Sequence, residues 1–213
     1  MVVVSAGAGT SGGIIKNNEE KSTLEASYGS EVPIMIFPFI CERLQDHEVV
    51  KPQLLQMIEE TSSYSENLGD EMISASDYST NPGQAFPQYV DLLLSSAATI
   101  LHKYFFYLNL KADVANAWFH QYIEGDLFGW HSHGDSSFSL IYYLELPADG
   151  PKTQFMMPPF SSVFTAEVKE GDVLIFPAQT KHRSPVNHST DRKTIIAMNF
   201  TICDEYDNEA ANN

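Results

Sequence analysis

The sequence predicts an α+β domain, with helices in its first half and an antiparallel sheet of sandwich or jelly-roll type in its second half. In the first 112 residues, apolar residues recur at the spacing of helices over 51–60 and 88–108. From residue 113 onward, short runs rich in aromatic and β-branched residues are separated by turn residues, which is the pattern of strands. These runs span residues 115–123, 127–133, 138–146, 163–168, 173–177 and 193–202. Helices followed by short, evenly spaced strands favour a jelly roll or sandwich.

The first half contains four segments with different patterns. Residues 32–40 are apolar and interrupted by prolines, which favours an edge strand entering the fold. Residues 51–60 predict a short amphipathic helix with Pro52 in its first turn, where proline is tolerated. Residues 61–87 have many turn residues and no sustained period, so we expect a long connection that covers a site. Residues 88–108 predict a mostly apolar helix that packs across the back of the sheet.

We expect a single domain over residues 31–203, with helical support at 31–112 and a β core at 113–203. The 213 residues, 43% of them hydrophobic, suffice for one substantial core. Residues 1–30 are small, polar and charged, so they predict a flexible N-terminal arm. Residues 204–213 predict a polar tail that frays.

The charge balance bears on the partners. There are 12 Lys plus Arg against 28 Asp plus Glu, a formal net charge of -16. This charge repels a phosphate backbone, and the few clustered cations, Lys181, Arg183, Arg192 and Lys193, suit a small anionic ligand better. We therefore expect a small-molecule or peptide substrate rather than a nucleic acid, and the sequence leaves the oligomeric state open.

Cysteine usage and the apolar runs indicate the compartment. Cys41 and Cys203 are the only cysteines and lie far apart, which does not make a disulfide framework. The N-terminus has no basic segment before an apolar one, and no apolar run reaches membrane-spanning length. We expect a cytoplasmic protein with no membrane partner.

Three candidate metal ligands occur at alternate positions just before a predicted strand: His131, His133 and Asp135. Residues two apart on a strand point to the same side, so these side chains are expected to share a cavity. The spacing allows either His131 with His133 or His133 with Asp135, and Asp135 also fits a role as the cap of a tight turn. Imidazoles with an optional carboxylate suit Fe(II) that keeps open positions.

Two further candidates lie downstream. His182 follows the buried run at 173–177, which delivers it to a strand edge, although a place in an exposed loop fits the same pattern. Arg192 heads an apolar strand, where a guanidinium needs a carboxylate partner. A dicarboxylate cosubstrate meets that need, and Thr194 lies on the same face as a further donor. A salt bridge to an acidic residue of the chain is the alternative.

In their order along the chain, these residues resemble the motif of the Fe(II)- and 2-oxoglutarate-dependent oxygenases: His-x-Asp or Glu, then a distant His, then Arg. Residues 130–133 resemble the Trp-His-Thr-Asp segment of taurine-type members. Tyr122 lies in a lead-in similar to the Tyr-x-x-Gly of prolyl hydroxylases, and residues 141–144, Ile-Tyr-Tyr-Leu, resemble a prolyl-hydroxylase strand. The overall pattern is most similar to that of uncharacterised bacterial and phage oxygenase-like proteins with a prolyl-hydroxylase-like core.

The resemblance implies a double-stranded β-helix, a jelly roll, with helices packed on one sheet. It implies Fe(II) held by His131, His133 and His182, with Asp135 as the alternative carboxylate ligand. It also implies that 2-oxoglutarate is bound by residues in and around the motif, namely Arg192, Thr194, Tyr143 and Tyr122. His133 stands where the family usually has Asp, so the motif departs from the family at one ligand.

The implied activity is a dioxygenase that hydroxylates a C–H bond of a peptidyl or small-molecule substrate, releasing succinate and CO2. Two other functions fit the same residues. One is a cupin-like three-histidine metalloenzyme that acts on a small molecule without 2-oxoglutarate. The other is a jelly-roll binding module with no catalytic activity.

Overall fold

The computed structural model describes residues 39–78, 85–157 and 162–203. The predicted arm at 1–30, the tail at 204–213 and all but the end of the predicted strand at 32–40 lie outside the described residues. The described part of the chain forms two helices and 11 strands.

The helices are α1, His47–Glu60, and α2, Gln88–Leu108. The prediction for α2 is confirmed at both ends. Helix α1 begins earlier than predicted, because His47 and Val50 continue the buried face that Leu54 and Ile58 define. Residues three or four apart on a helix share one face, and these four side chains have that spacing.

The strands are β1 Ile40–Arg43, β2 Tyr64–Leu68, β3 Glu71–Ser76, β4 Ala112–Tyr122, β5 Leu127–His131, β6 Phe138–Glu145, β7 Gln154–Met157, β8 Ser162–Thr165, β9 Asp172–Pro177, β10 Lys181–Ser184 and β11 Lys193–Ile202. Every pairing among them is antiparallel. The pairing order is β1-β9-β6-β11-β4-β3-β5-β10-β7-β8. Strand β3 pairs with both β4 and β5, and so connects the first five strands of this order to the last four. The predicted double-stranded β-helix is confirmed.

The prediction of an irregular connection at 61–87 is wrong for residues 64–76. Strands β2 and β3 form a hairpin there, with Gly69 in the left-handed region at φ 64°. The sequence of β2, Tyr-Ser-Glu-Asn-Leu, has no clear apolar alternation, so its pattern did not mark a strand. Pairing with β3, which in turn pairs with β4 and β5, supplies the hydrogen bonds that hold it.

The main core lies between the helices and one face of the large sheet. Helix α2 contributes the buried residues Tyr89, Val90, Leu93, Ala97, Ile100, Leu101, Tyr104 and Phe105. From the sheet, Ile196 and Met198 of β11 belong to the same apolar cluster, which confirms the predicted packing of α2. Because side chains alternate along a strand, Ile195 of β11 belongs to a second apolar cluster on the other face. The candidate site lies on that second face.

Candidate metal centre and cosubstrate pocket

Three histidines converge on the face of the sheet opposite the helices. His131, His133 and His182 each offer one ring nitrogen, and these nitrogens lie within 4.8 Å of one another. Their ring centroids are 4.2 to 5.2 Å apart. The structure therefore brings together the three histidines that the sequence singled out, in a group compact enough to hold one metal ion.

Strand pairing explains the convergence. His131 is the last residue of β5 and His182 the second of β10, and the two are directly opposite in the β5–β10 pair. Side chains of directly opposed residues lie on the same face of a sheet. His133 follows two residues after β5, and its backbone N–H donates to the carbonyl of Ala178 at 2.9 Å. That bond holds the loop against the segment between β9 and β10.

Hydrogen bonds orient two of the three rings. Nδ1 of His131 lies 2.9 Å from the carbonyl of Gly129, and Nδ1 of His182 lies 2.9 Å from the carbonyl of Thr180. A carbonyl only accepts, so each Nδ1 carries the proton and each Nε2 is left as a bare lone pair. Such a partner on the far nitrogen is usual for metal-binding histidines, because it fixes the tautomer and the direction of the free nitrogen.

Burial keeps all three rings uncharged near neutral pH. Loss of solvent lowers the pKa of His133 to about 4 and that of His182 to about 3, and repulsion by His131 adds to both effects. The pKa of His131 is also lowered, first by burial. Neutral imidazoles are the form that binds transition metals. Three of them suit Fe, Zn, Cu or Ni and leave the full charge of the ion uncompensated.

Asp135 is exposed and is not part of this group. It lies in the turn between β5 and β6, where the backbone N–H of Ser136 donates to the carbonyl of His133 at 3.3 Å. The turn interpretation weighed for this residue matches its position. Its role as a metal ligand stays a prediction, and the geometry favours His133 for that position.

The histidines line a narrow pocket, called here the inner cavity, with a volume of about 30 Å³. Its wall also includes Tyr122, Thr153, Ser184 and Ile195. The space holds about one water molecule, so a larger ligand enters only if lining side chains move.

The two tyrosines predicted to contact a cosubstrate lie on this side of the sheet. Tyr122 lines the inner cavity directly. Tyr143 is buried beside it, and its hydroxyl is 2.6 Å from Oγ1 of Thr153, a residue of the cavity wall.

Arg192 and Thr194 are not brought to the histidines. The guanidinium of Arg192 binds Glu145 through two bonds, Nε to Oε2 at 2.8 Å and Nη2 to Oε1 at 3.1 Å. The hydroxyl of Thr194 donates to the same carboxylate. Neither residue lines the inner cavity, because Thr194 alternates with Ile195, which does. Their assignment to 2-oxoglutarate stays a prediction that this arrangement does not favour; the salt bridge weighed as the alternative is what the structure contains.

The cation on the cavity side of β11 is Lys193. Its side chain is buried, and its Nζ donates to the carbonyl of Pro151 at 2.9 Å and to Oγ of Ser184 at 2.8 Å. Nζ also lies 5.0 Å from the centre of the Tyr122 ring. Among the described residues it has no carboxylate partner, and burial lowers its pKa to about 7. A buried ammonium without a counter-ion is unfavourable, and an anionic ligand would offset that cost.

From the sequence, Lys193 was named only as one of four clustered cations and not as a site residue, and His120 was missed. Lys193 was passed over because Arg192 beside it matched the family motif. The alternation of buried residues on β11 holds the missing signal, because Lys193 shares its face with Ile195 and Ala197. His120 lies in β4 and lines the inner cavity, but nothing in the pattern of that strand distinguishes it.

A second, larger pocket of about 230 Å³, called here the outer cavity, shares five residues with the inner one: Trp118, His120, Phe128, His131 and His133. Its other wall comes from the β2–β3 hairpin and includes Tyr64, Glu66 and Glu71. Burial and repulsion by Glu66 and Asp70 raise the pKa of Glu71. The hairpin that replaces the predicted loop therefore does border the site, as expected of that segment.

No family model matches the sequence, and no curated protein shows significant similarity to it. The fold, in contrast, is shared with oxygenases whose structures are known. An oxidoreductase of the 2OG-Fe(II) oxygenase family from Burkholderia pseudomallei aligns over 76% of this chain and 85% of its own, with a TM-score of 0.62 and 10% identity.

Two other similar structures were solved with ligands. One is a prolyl hydroxylase from Trichoplax adhaerens in complex with a hypoxia inducible factor peptide; it covers 83% of this chain and 88% of its own, with a TM-score of 0.58 and 11% identity. The other is HygX from Streptomyces hygroscopicus with nickel, 2-oxoglutarate and hygromycin B, which covers 76% and 82% with a TM-score of 0.59 and 10% identity. At these identities the comparison establishes the fold that the chain shares with 2-oxoglutarate oxygenases.

Within the described ranges, neither helix has the length and apolar character needed to cross a membrane.

Proposed function

We propose that this protein is an Fe(II)- and 2-oxoglutarate-dependent dioxygenase that hydroxylates a C–H bond of a peptide or small molecule. The observation that carries the proposal is the three-histidine cluster together with the buried ammonium of Lys193, which has no carboxylate partner among the described residues and bonds Ser184 in the wall of the same cavity. A metal ion and a dicarboxylate fit these two features together, because the neutral histidines supply metal ligands and the dicarboxylate supplies negative charge that offsets both the metal ion and the ammonium.

His131, His133 and His182 would hold the iron through their free ring nitrogens. Once bound, iron and 2-oxoglutarate supply the oxidising chemistry, in which dioxygen hydroxylates the substrate and 2-oxoglutarate is converted to succinate and CO2. The residues of the chain position the reactants and keep water away from them.

Lys193 would bind the carboxylate of 2-oxoglutarate that is remote from the metal. Its ammonium is already held by two oxygens, on Pro151 and Ser184, so a carboxylate arriving there adds a charged acceptor to a fixed donor. Tyr122 forms one wall of that position. We assign this role to Lys193 in place of Arg192, whose guanidinium is occupied by Glu145.

The outer cavity would admit the substrate, since it is lined by His131 and His133 and is larger than the inner cavity. The carboxylates of Glu66 and Glu71 line it, so its potential is negative. That potential repels phosphate and supports a peptide or a neutral or cationic small molecule over a nucleic acid. The similar structures bound to a peptide and to hygromycin B are consistent with both substrate types.

The test is iron-dependent conversion of 2-oxoglutarate to succinate, measured with a panel of peptides and amino-containing small molecules. We expect succinate formation that requires Fe(II) and is lost in Lys193→Ala but retained in Arg192→Ala. Stoichiometric iron binding without any succinate across the panel would favour the cupin-like enzyme. Absence of stoichiometric metal after reconstitution would favour the non-catalytic binding module.

A further inference from the structure

His120 is a buried side chain in the wall between the inner and outer cavities, and one of its ring nitrogens has no hydrogen-bond partner. Only 6% of its surface is exposed, and it lines both cavities. The indole N–H of Trp118, two residues earlier on β4, lies 2.8 Å from its Nε2. An indole nitrogen only donates, so Nε2 of His120 must be the acceptor and must carry no proton. The neutral ring therefore bears its proton on Nδ1.

That Nδ1–H has no partner. Among buried side-chain nitrogen and oxygen atoms of the described residues, only Nδ1 of His120 and Nε2 of Gln121 lack one. Gln121 is the next residue along β4, so its side chain alternates to the other face, away from the inner cavity. A buried donor left unpaired is costly, and such groups in native proteins usually have a functional reason.

The surroundings of His120 indicate what it would bind. Burial lowers its pKa to about 3, with smaller contributions from His131, Lys193 and His133, which lie at the two ends of the proposed cosubstrate site. Its centroid lies 5.5 Å from that of Phe128, whose ring is in turn 4.3 Å from His131. The ring thus lies in the cavity wall near the histidines, and its free group is a donor that requires an oxygen acceptor.

We propose that Nδ1–H of His120 donates a hydrogen bond to the metal-side carboxylate or keto oxygen of 2-oxoglutarate, and so positions the cosubstrate against the three histidines. This inference rests on the proposed function. Lys193 and His120 then bind opposite ends of one dicarboxylate. Trp118 fixes the tautomer of His120 before the ligand arrives, so no proton has to move when the bond forms.

Two substitutions of His120 test the roles of its two ring nitrogens independently. Asn places its amide near the position of Nδ1 and retains a donor there, whereas Gln reaches the position of Nε2 and retains the acceptor for Trp118. We expect His120→Gln to weaken binding of 2-oxoglutarate to the Zn(II)-loaded protein about tenfold, and His120→Asn to change it less than about threefold. Titration calorimetry measures both constants, with zinc content and melting temperature checked for each variant. Equal loss in the two variants, or no loss in either, would overturn the proposal.

Nuclear magnetic resonance of the Zn(II)-loaded protein with 15N-labelled histidine gives a readout independent of turnover. We expect the His120 ring to be protonated at Nδ1 without ligand, and that proton signal to move downfield when 2-oxoglutarate is added. Butyrate, which keeps only the carboxylate remote from the metal, serves as the control and should leave the signal nearly unchanged. A His120 signal that moves only with substrate candidates would overturn the assignment to the cosubstrate.

Binding measurements distinguish failure of the proposed function from failure of the role of His120. If wild-type protein binds zinc but no 2-oxoglutarate, the proposed function fails and this inference falls with it. If 2-oxoglutarate binds and His120 does not respond in either experiment, the proposed function stands and this inference alone is overturned.

Discussion

Binding of 2-oxoglutarate is expected to take up a proton at Lys193 when the pH is above 7. Burial lowers the pKa of Lys193 to about 7, well below the ordinary value of a lysine, so the free protein loses this charge as the pH rises. A bound carboxylate favours the charged form and raises the pKa again. The ammonium that the cosubstrate requires is then restored by a proton from solvent.

The size of the effect follows from that pKa. At pH 8 about nine-tenths of Lys193 side chains are neutral in the free protein, so binding should take up about 0.9 proton per ligand. Below pH 6 the uptake should vanish. The affinity should be constant below pH 6 and fall about tenfold per pH unit above pH 7. The three histidines add nothing in this range, because their pKa values are lowered and they are already neutral.

Calorimetry in two buffers of different ionisation enthalpy measures the uptake directly, under anaerobic conditions with Fe(II) or with Zn(II). Lys193→Arg is the matched control, since a guanidinium stays charged throughout and should bind without proton uptake. An uptake near zero at pH 8 in the wild type would refute the reasoning. So would an Arg variant that keeps the pH dependence of the wild type.

Three other outcomes follow from the same structure. Without ligand, the folded pKa of Lys193 lies below its unfolded value, so the unfolded chain binds more protons between about pH 7 and pH 10.5. The free energy of unfolding should therefore rise with pH across that window by on the order of 5 kcal/mol, and Lys193→Met should show no such rise in chemical denaturation. Arg192→Ala removes a partly exposed ion pair to Glu145 and should lower the free energy of unfolding by about 1–2 kcal/mol. Its affinity for 2-oxoglutarate should change less than about twofold, and a large loss of affinity would show that Arg192 binds the cosubstrate. Asp135→Asn should alter iron affinity less than about threefold in equilibrium dialysis. Replacing any of the three histidines should lower iron affinity more than about 100-fold, which is the largest loss expected for residues that only hydrogen-bond a metal ligand.

The bounds of secondary-structure elements could be predicted from the sequence where the apolar pattern was long and unambiguous. Helix α2 and strand β11 have the predicted bounds, because each is buried along one or both faces over many residues. The histidines were found because His131 and His133 keep the two-residue spacing of a strand, and His182 follows a buried run that ends at a proline.

The features that could not be predicted depend on contacts between distant parts of the chain. Strand β2 is polar and is held by its pairing with β3, which a local pattern does not reveal. The prediction of Arg192 rests on its match to the family motif, whereas the proposal of Lys193 rests on the alternation of buried residues along β11, which places the two side chains on opposite faces. The importance of His120 arises from a hydrogen bond to Trp118 and a missing partner at Nδ1, and neither is visible before the side chains are placed.

Counting the imidazole ligands of the bound iron tests the proposed three-histidine centre most directly. X-ray absorption of the Fe(II)-loaded protein, prepared without oxygen, should show one iron per chain bound by three imidazole nitrogens, with the remaining positions filled by oxygen from water or 2-oxoglutarate. Replacing His133 with Ala should lower that count to two. Two imidazoles in the wild type together with a carboxylate that is lost in Asp135→Asn would contradict the three-histidine centre, as would failure to bind iron stoichiometrically.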